Sequence, residues 1–199
     1  TTAFDASGDL AGLECKGGQS WSAQPTPDDV GVDPVAPRPV MTAVGGTKLS
    51  TDNDGRWLSE QSWYNIPLTL GTAGGASTLF GRPDWQTVGI GSELPDRRLV
   101  PDVSAVSDPF TGVRIVFKGQ PTVGGGTSQA APIWAGLTAL MNQKLAARGA
   151  EPLGEINPLL YRLAKTSTEE PGLRDINFGG NAISISGTAG YDMVTGLGT

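Results

Sequence analysis

Two patterns of apolar residues divide the middle of the chain. Val113-Arg114-Ile115-Val116-Phe117 is short, apolar and β-branched, and predicts a strand stopped by Lys118-Gly119-Gln120-Pro121. Val123 then leads into Gly124-Gly125-Gly126. From Gln129 to Arg148 the period changes. Ile133, Trp134, Leu137, Leu140, Met141 and Leu145 recur at helical spacing. Pro132 fits such a helix only in its first turn, where backbone N–H groups lack intrahelical partners. Gly149 is placed as the C′ residue. A second helix is predicted over Pro158–Lys165, with Asn157 as its cap.

Upstream the signals are shorter. Residues 1–6 predict a strand that runs into a loop at Ser7-Gly8-Asp9, and Val40–Val44 a buried strand closed by Gly45-Gly46. Pro25, Pro27, Pro34, Pro37 and Pro39 make residues 22–39 an extended surface connection. The segment carrying Trp57, Trp63, Phe80 and Trp85 reads as short strands and turns that the pattern does not resolve. Strand, loop and helix in this order predict an α/β architecture with a largely parallel sheet flanked by helices.

Composition narrows the classes. A chain of 199 residues with 29 Gly and 15 Pro is one domain rich in tight turns, not a helical bundle. The formal charge of −6, without a run of Lys or Arg, argues against nucleic-acid and anionic-membrane partners. There is no His, which removes the usual zinc ligand. Cys15 has no partner for an internal disulfide, leaving an inert thiol or a bridge to another chain. No apolar stretch approaches the ~20 residues that span a bilayer. Thr1-Thr2-Ala3-Phe4-Asp5 has neither a start methionine nor signal-peptide regions and reads as a cut end. The glycine-rich run before Thr199 also looks truncated.

The candidate chemistry lies at Gly126-Thr127-Ser128-Gln129-Ala130-Ala131-Pro132. The pattern puts Ser128 at the mouth of a helix beside a strand end, where ligands gather in parallel sheets. Free N–H groups and the helix dipole there favour developing negative charge. A serine hydroxyl needs an adjacent base, however, and the chain has no imidazole. Thr127 or Ser128 as a simple N-cap is the competing reading. A phosphate loop is excluded, because the glycines are followed by no lysine.

Several further blocks, taken with this one, resemble the serine-carboxyl peptidases of the sedolisin family. They are Ala6-Ser7-Gly8-Asp9, Met41 to Thr47, Gly75-Ala76-Ser77 with Arg82-Pro83, Val100 to Ala105, Gly125 to Gly136, Asp175-Ile176 and Gly190 to Gly198, in family order. The resemblance implies a subtilisin-like fold in which a glutamate replaces the imidazole. It makes Ser128 the nucleophile and gives Asp9 the oxyanion-stabilising place. An aspartate donates a hydrogen bond only while protonated, so the resemblance also implies action in acid. Asp102 reads as structural, and the spacing of Asp5 from Asp9 carries no specific signal.

The resemblance implies a single calcium ion as well, held by Asp175, the carbonyls of Ile176, Thr188 and Gly190, and Asp192. These are oxygen ligands suited to a hard cation. The family's base is a Glu followed four residues later by an Asp, upstream of the Ser-Gly-Asp block. Glu14, Glu60, Glu93 and Glu151 all stand in the wrong context for it. Residues 1–199 are therefore expected to be the C-terminal portion of one peptidase domain, with the base supplied by an upstream segment or by a companion chain from the same precursor. The expected activity is that of a secreted, acid-acting endopeptidase on polypeptides. Tripeptidyl-peptidase action, a non-catalytic peptide-binding scaffold and a carbohydrate-binding module using Trp57, Trp63 or Trp85 are the alternatives.

Overall fold

The computed structural model describes residues 2–13, 31–68, 70–86, 90–166, 172–183 and 185–199. Glu14, Cys15, Pro25 and Pro27 lie outside the described residues. The strands are β1 (Ala3–Ala6), β2 (Met41–Thr51), β3 (Trp57–Ser62), β4 (Tyr64–Asn65), β5 (Leu70–Gly71), β6 (Gly75–Ala76), β7 (Leu99–Val100), β8 (Val103–Val106), β9 (Arg114–Phe117) and β10 (Gln120–Val123). The helices are α1 (Thr127–Ala146) and α2 (Asn157–Thr166).

One long strand organises the frame. β2 pairs in parallel with β1, from Ala3↔Met41 to Ala6↔Val44, and with β8, from Val44↔Val103 to Thr47↔Val106. Its far end pairs antiparallel with β3, from Thr47↔Ser62 to Thr51↔Trp57. The parallel expectation holds for β1, β2 and β8, while β3 makes the sheet mixed. Thr42 to Thr47 are all buried, as expected for a strand covered on both faces. β1 pairs only with β2, so its other edge carries no strand among the described residues.

Gly45 and Gly46 do not close this strand, as the sequence suggested, but lie inside it. The reason is close approach. A Cβ on Gly45 would sit 2.6 Å from Ser104 Oγ, and one on Gly46 2.6 Å from Ser107 Cβ and 3.0 Å from the Trp63 ring. The two glycines let β8 and Trp63 close onto the sheet.

α1 packs on the sheet through Thr127, Ala130, Ala131, Trp134 and Thr138, and the Trp134 indole donates to the Ser104 carbonyl at 2.9 Å. Trp134 joins Val44, Leu99, Val103, Leu160, Tyr161 and Leu197 in the main core. Leu137, Leu140 and Met141, which gave the sequence its helical period, are 46%, 63% and 40% exposed. The apolar stripe is thus wider than the surface that covers it. Pro132 falls at the sixth helical position, past the first turn. Lacking an N–H, it leaves the carbonyl of Ser128 without its usual i+4 donor. Gly149 turns the chain at φ +69°, as placed.

Asn157 starts α2 but does not cap it with its side chain. Its amide instead accepts from the Thr42 hydroxyl at 2.7 Å and donates to the Met41 carbonyl at 2.8 Å, tying the helix to β2. The predicted strand at 113–117 forms as β9, outside the main sheet. It pairs antiparallel with β10 in a fully exposed hairpin. Lys118 and Gly119 take φ +51° and +76°, which closes a two-residue turn where the sequence indicated only a stop.

Candidate active site

β1 ends beside the start of α1, and this brings Asp9 to Thr127. The half-buried Asp9 accepts, on Oδ1, the backbone N–H of Thr127 at 2.7 Å and its hydroxyl at 2.7 Å. The Thr127 hydroxyl in turn accepts the N–H of Gly8 at 3.1 Å. Gly126 occupies the N-cap position without a side-chain bond, so neither Thr127 nor Ser128 caps the helix from its own hydroxyl. The carboxyl of Asp9 satisfies a first-turn N–H instead.

Only glycine fits at position 126. Its φ is +90°, and a Cβ there would lie 2.6 Å from Asp9 Oδ2. Its N–H donates to the Ser107 carbonyl at 2.6 Å, which pins the loop before the helix to the end of β8. Behind that loop, Asp108 is buried and accepts from Asn65 at 2.8 Å and from the Thr111 hydroxyl at 3.1 Å. No local pattern in the chain pointed to Asp108, or to Thr127 as a partner of Asp9.

Ser128 follows at the second helical position with its side chain exposed and its hydroxyl without a hydrogen-bond partner among the described residues. The site therefore presents a solvent-facing hydroxyl at a helix N-terminus, one residue from a threonine that holds a carboxyl. Asp9 Oδ2 is bonded by no described residue. Such a group can donate a hydrogen bond when protonated. Among the described residues no Glu or Asp is bonded to Ser128. Glu60 is engaged elsewhere, accepting from the hydroxyls of Thr47 and Thr199 at 2.5 Å and 3.2 Å.

No family model matches the chain. Kumamolisin of Bacillus sp. strain MN-32 is 38% identical over an alignment of 182 positions that covers 84% of this chain and 30% of that protein. Tripeptidyl-peptidase sed1 of Aspergillus fumigatus is 31% identical over an alignment of 191 positions that covers 81% of this chain and 28% of that protein. The structure of Pseudomonas sedolisin, a serine-carboxyl proteinase complexed with two molecules of pseudo-iodotyrostatin, matches with TM-score 0.82 and 31% identity. That match covers 100% of this chain. The chain belongs to the sedolisin family. It spans 30% of the length of kumamolisin and 53% of the sedolisin chain. The fold is accordingly the subtilisin-like α/β fold of sedolisin, built here around a mixed sheet and two helices.

The second cluster of sedolisin-like residues lies near the end of the chain. The exposed Asp175 accepts the Gly190 N–H at 2.8 Å on Oδ2. Asp192 is 4% exposed, and accepts the N–H groups of Val194 and Thr195 at 2.8 Å on one oxygen and that of Thr188 at 3.0 Å on the other. The Thr195 hydroxyl donates to the Ile176 carbonyl at 3.3 Å. The loop 188–190 is thus drawn to both carboxyls. Burial raises the pKa of Asp192 above the ordinary carboxylate range, opposed by the N–H groups of Thr195, Thr188 and Val194. No Lys or Arg pairs with either carboxyl among the described residues.

A cation would relieve that uncompensated charge, and the donors are all hard oxygens. Among the described residues no group of three or more His, Cys, Asp and Glu gathers, so a cation here relies on backbone carbonyls. The donor set fits calcium better than zinc or another soft-ligand metal.

Of the tryptophans named as stacking platforms, Trp63 is 2% exposed, Trp85 lies against Tyr161 with ring centroids 5.2 Å apart, and Trp57 is 46% exposed with the Arg174 guanidinium 4.1 Å from its ring centre.

Proposed function

We propose that residues 1–199 carry the nucleophile and the oxyanion-stabilising group of an acid-acting endopeptidase of the sedolisin type. The observation that supports this best is an accessible Ser128 next in the chain to Thr127, which holds the carboxyl of Asp9 with its Oδ2 left without a partner among the described residues. In this reading the Ser128 oxygen attacks the scissile carbonyl, and a Glu outside residues 1–199 takes its proton. The Oδ2–H of Asp9 donates to the oxygen that becomes negative. That Glu returns the proton to the amine as its bond breaks, and water, giving a proton to the same Glu, then hydrolyses the acyl group on Ser128. Stabilisation of that oxygen by one positioned donor is worth about 10²–10³ in kcat.

Acid suits the arrangement in a second way. Burial, and then the Asp33 carboxylate, raise the pKa of Asp5 in β1. A raised carboxyl pKa gives stability that is fully present below the unfolded value and lost as pH rises through the folded one. A secreted protein working in an acidic medium fits both features.

A companion segment is part of the proposal. The edge of β1 that no strand pairs among the described residues, and a groove between it and α1, form one candidate docking face. That groove is lined by Thr2, Phe4, Ala135, Thr138, Ala139 and Asn142. The Thr138 hydroxyl is buried there without a partner. Unpaired strand edges and open apolar stripes are seldom left uncovered. A strand added to β1 covers this face, and its chain carries the Glu-x-x-x-Asp base.

The test joins mass and activity. Protein isolated under native conditions is expected to cleave a denatured protein substrate at acid pH and to lose that activity toward neutral pH. Denaturing mass spectrometry of the same sample is expected to reveal sequence carrying Glu-x-x-x-Asp, in a second polypeptide. Full acid activity from residues 1–199 alone overturns the companion, and an activity maximum at neutral or alkaline pH overturns the role of Asp9.

We also propose that Asp175, Asp192 and the carbonyls of Ile176, Thr188 and Gly190 hold one calcium ion, which supplies positive charge to the loop and no step of the chemistry. Chelation is expected to lower the unfolding temperature by several degrees, since a ligand at 100 times its Kd contributes about 2.7 kcal/mol. Added calcium should restore it, and Asp192→Asn should remove the response. An unfolding temperature indifferent to chelator and calcium sinks the site.

A further inference from the structure

Thr127 is fully buried, and every polar group it has near Asp9 is committed. Its N–H and its hydroxyl both reach Oδ1 of Asp9, each at 2.7 Å. Its hydroxyl oxygen also accepts the Gly8 N–H at 3.1 Å, which leaves the hydroxyl hydrogen to point at Asp9. Oδ2 of Asp9 receives nothing from any described residue.

A neutral carboxyl carries its proton on one oxygen only, and the protonated oxygen is the poorer acceptor. A hydroxyl can reverse its direction; a backbone N–H cannot. The Thr127 N–H therefore needs Oδ1 as an acceptor in every state of Asp9. We propose that Thr127 is a positioning residue that keeps Oδ1 unprotonated, assigns the proton of Asp9 to Oδ2 and fixes the carboxyl plane. The inference rests on the reading of Asp9 as the oxyanion donor. It adds the reason why one oxygen of that carboxyl is free to donate.

A purely structural threonine would affect folding or substrate binding, whereas this one acts on the chemical step: without its hydroxyl the carboxyl plane is free to turn away from the reacting oxygen.

The test uses Thr127→Val, which keeps shape and removes the hydroxyl, and Thr127→Ser, which returns it, in the protein isolated with any companion chain retained. Thr127→Val is expected to lower kcat roughly ten- to a hundredfold with KM within about twofold, as for loss of aim at an oxyanion donor. Thr127→Ser should restore kcat.

Denaturant unfolding of Thr127→Val should overlay that of the parent, so that the fall in kcat is not one of folding. A wild-type kcat in Thr127→Val overturns the inference, as does a KM that rises in step with the fall in kcat, or a Thr127→Ser protein that stays as slow as Thr127→Val. If Ser128→Ala still cleaves, the peptidase reading itself fails and the inference falls with it; an inactive Ser128→Ala beside a wild-type Thr127→Val overturns the inference alone.

Discussion

Ser128→Ala is expected to lower kcat for peptide-bond cleavage at acid pH by about 10⁴- to 10⁶-fold, the range found when the nucleophile of a subtilisin-type site is removed. The loss is confined to chemistry. The Ser128 side chain is exposed, and its hydroxyl bonds to no described residue. Surface substitutions of that kind change stability by only about ±0.5 kcal/mol. Denaturant unfolding of the variant should therefore overlay that of the parent while cleavage disappears.

That separation makes the test sharp. A variant that keeps a tenth of the parent's cleavage shows that another group attacks the substrate, and the nucleophile is misassigned. A variant that unfolds early shows that Ser128 has a structural role, contrary to its exposed position. Binding of a peptide product should survive the substitution, since the hydroxyl is needed for bond formation and not for holding the chain. Retained binding with cleavage absent from the parent as well would favour the non-catalytic scaffold.

The serine segment was legible because its signals are local: glycines, then Thr127-Ser128, then small residues opening a helical period. The partner of that segment was not. Asp9 and Thr127 stand 118 positions apart, and their bond exists only because β1 and α1 pack side by side. No local pattern contains such a contact. Gly45-Gly46 misled for a related reason. Glycine is usual at a strand end, but here it answers the approach of Ser104, Ser107 and Trp63, all distant in sequence.

The helical period at 129–148 was correct as a period and misleading as a map of the core. Periodicity reports that a face is apolar; it does not report how much of the face this stretch of chain covers. Ala130, Ala131 and Trp134 are the residues against the sheet, whereas Leu140 is 63% exposed. The strands from β3 to β7 escaped because most pair over only two residues, too few for a period of two to register. The β9–β10 turn escaped because Lys118 takes a positive φ that side chains seldom adopt.

Asp102→Asn is expected to cost about 3–5 kcal/mol of unfolding free energy, the usual penalty for leaving a buried charge without its partner. Asp102 and Arg98 are both fully buried, and the guanidinium grips the carboxylate from two nitrogens, at 2.8 Å and 2.5 Å. The same carboxylate accepts the Ala43 N–H of β2 at 2.8 Å and the Tyr161 hydroxyl of α2 at 2.9 Å. Gln86 bonds that hydroxyl at 2.7 Å and the Leu99 carbonyl at 2.7 Å, and the guanidinium lies 5.1 Å from the centre of the Trp85 ring. One carboxylate thus joins the sheet, α2 and the loop carrying Trp85.

Burial opposes the charge of Arg98, but the Asp102 carboxylate outweighs it and holds the guanidinium pKa above its ordinary value. An asparagine keeps the shape and one acceptor oxygen. It offers an N–H₂ group, however, where Arg98 or Ala43 already points a donor. The guanidinium cannot shed its proton to escape. A domain is stable by about 5–15 kcal/mol in total, so this one change should remove a large share of it. The urea midpoint of Asp102→Asn should fall without a change of slope. A midpoint within about 1 kcal/mol of the parent would mean that water or a rearranged Arg98 compensates, and that Asp102 is not the joint between these elements. The same measurement on Arg98→Met with Asp102→Leu separates charge from packing. Removing both charges together should cost less than Asp102→Asn alone, because no unpaired ion is then left in the core.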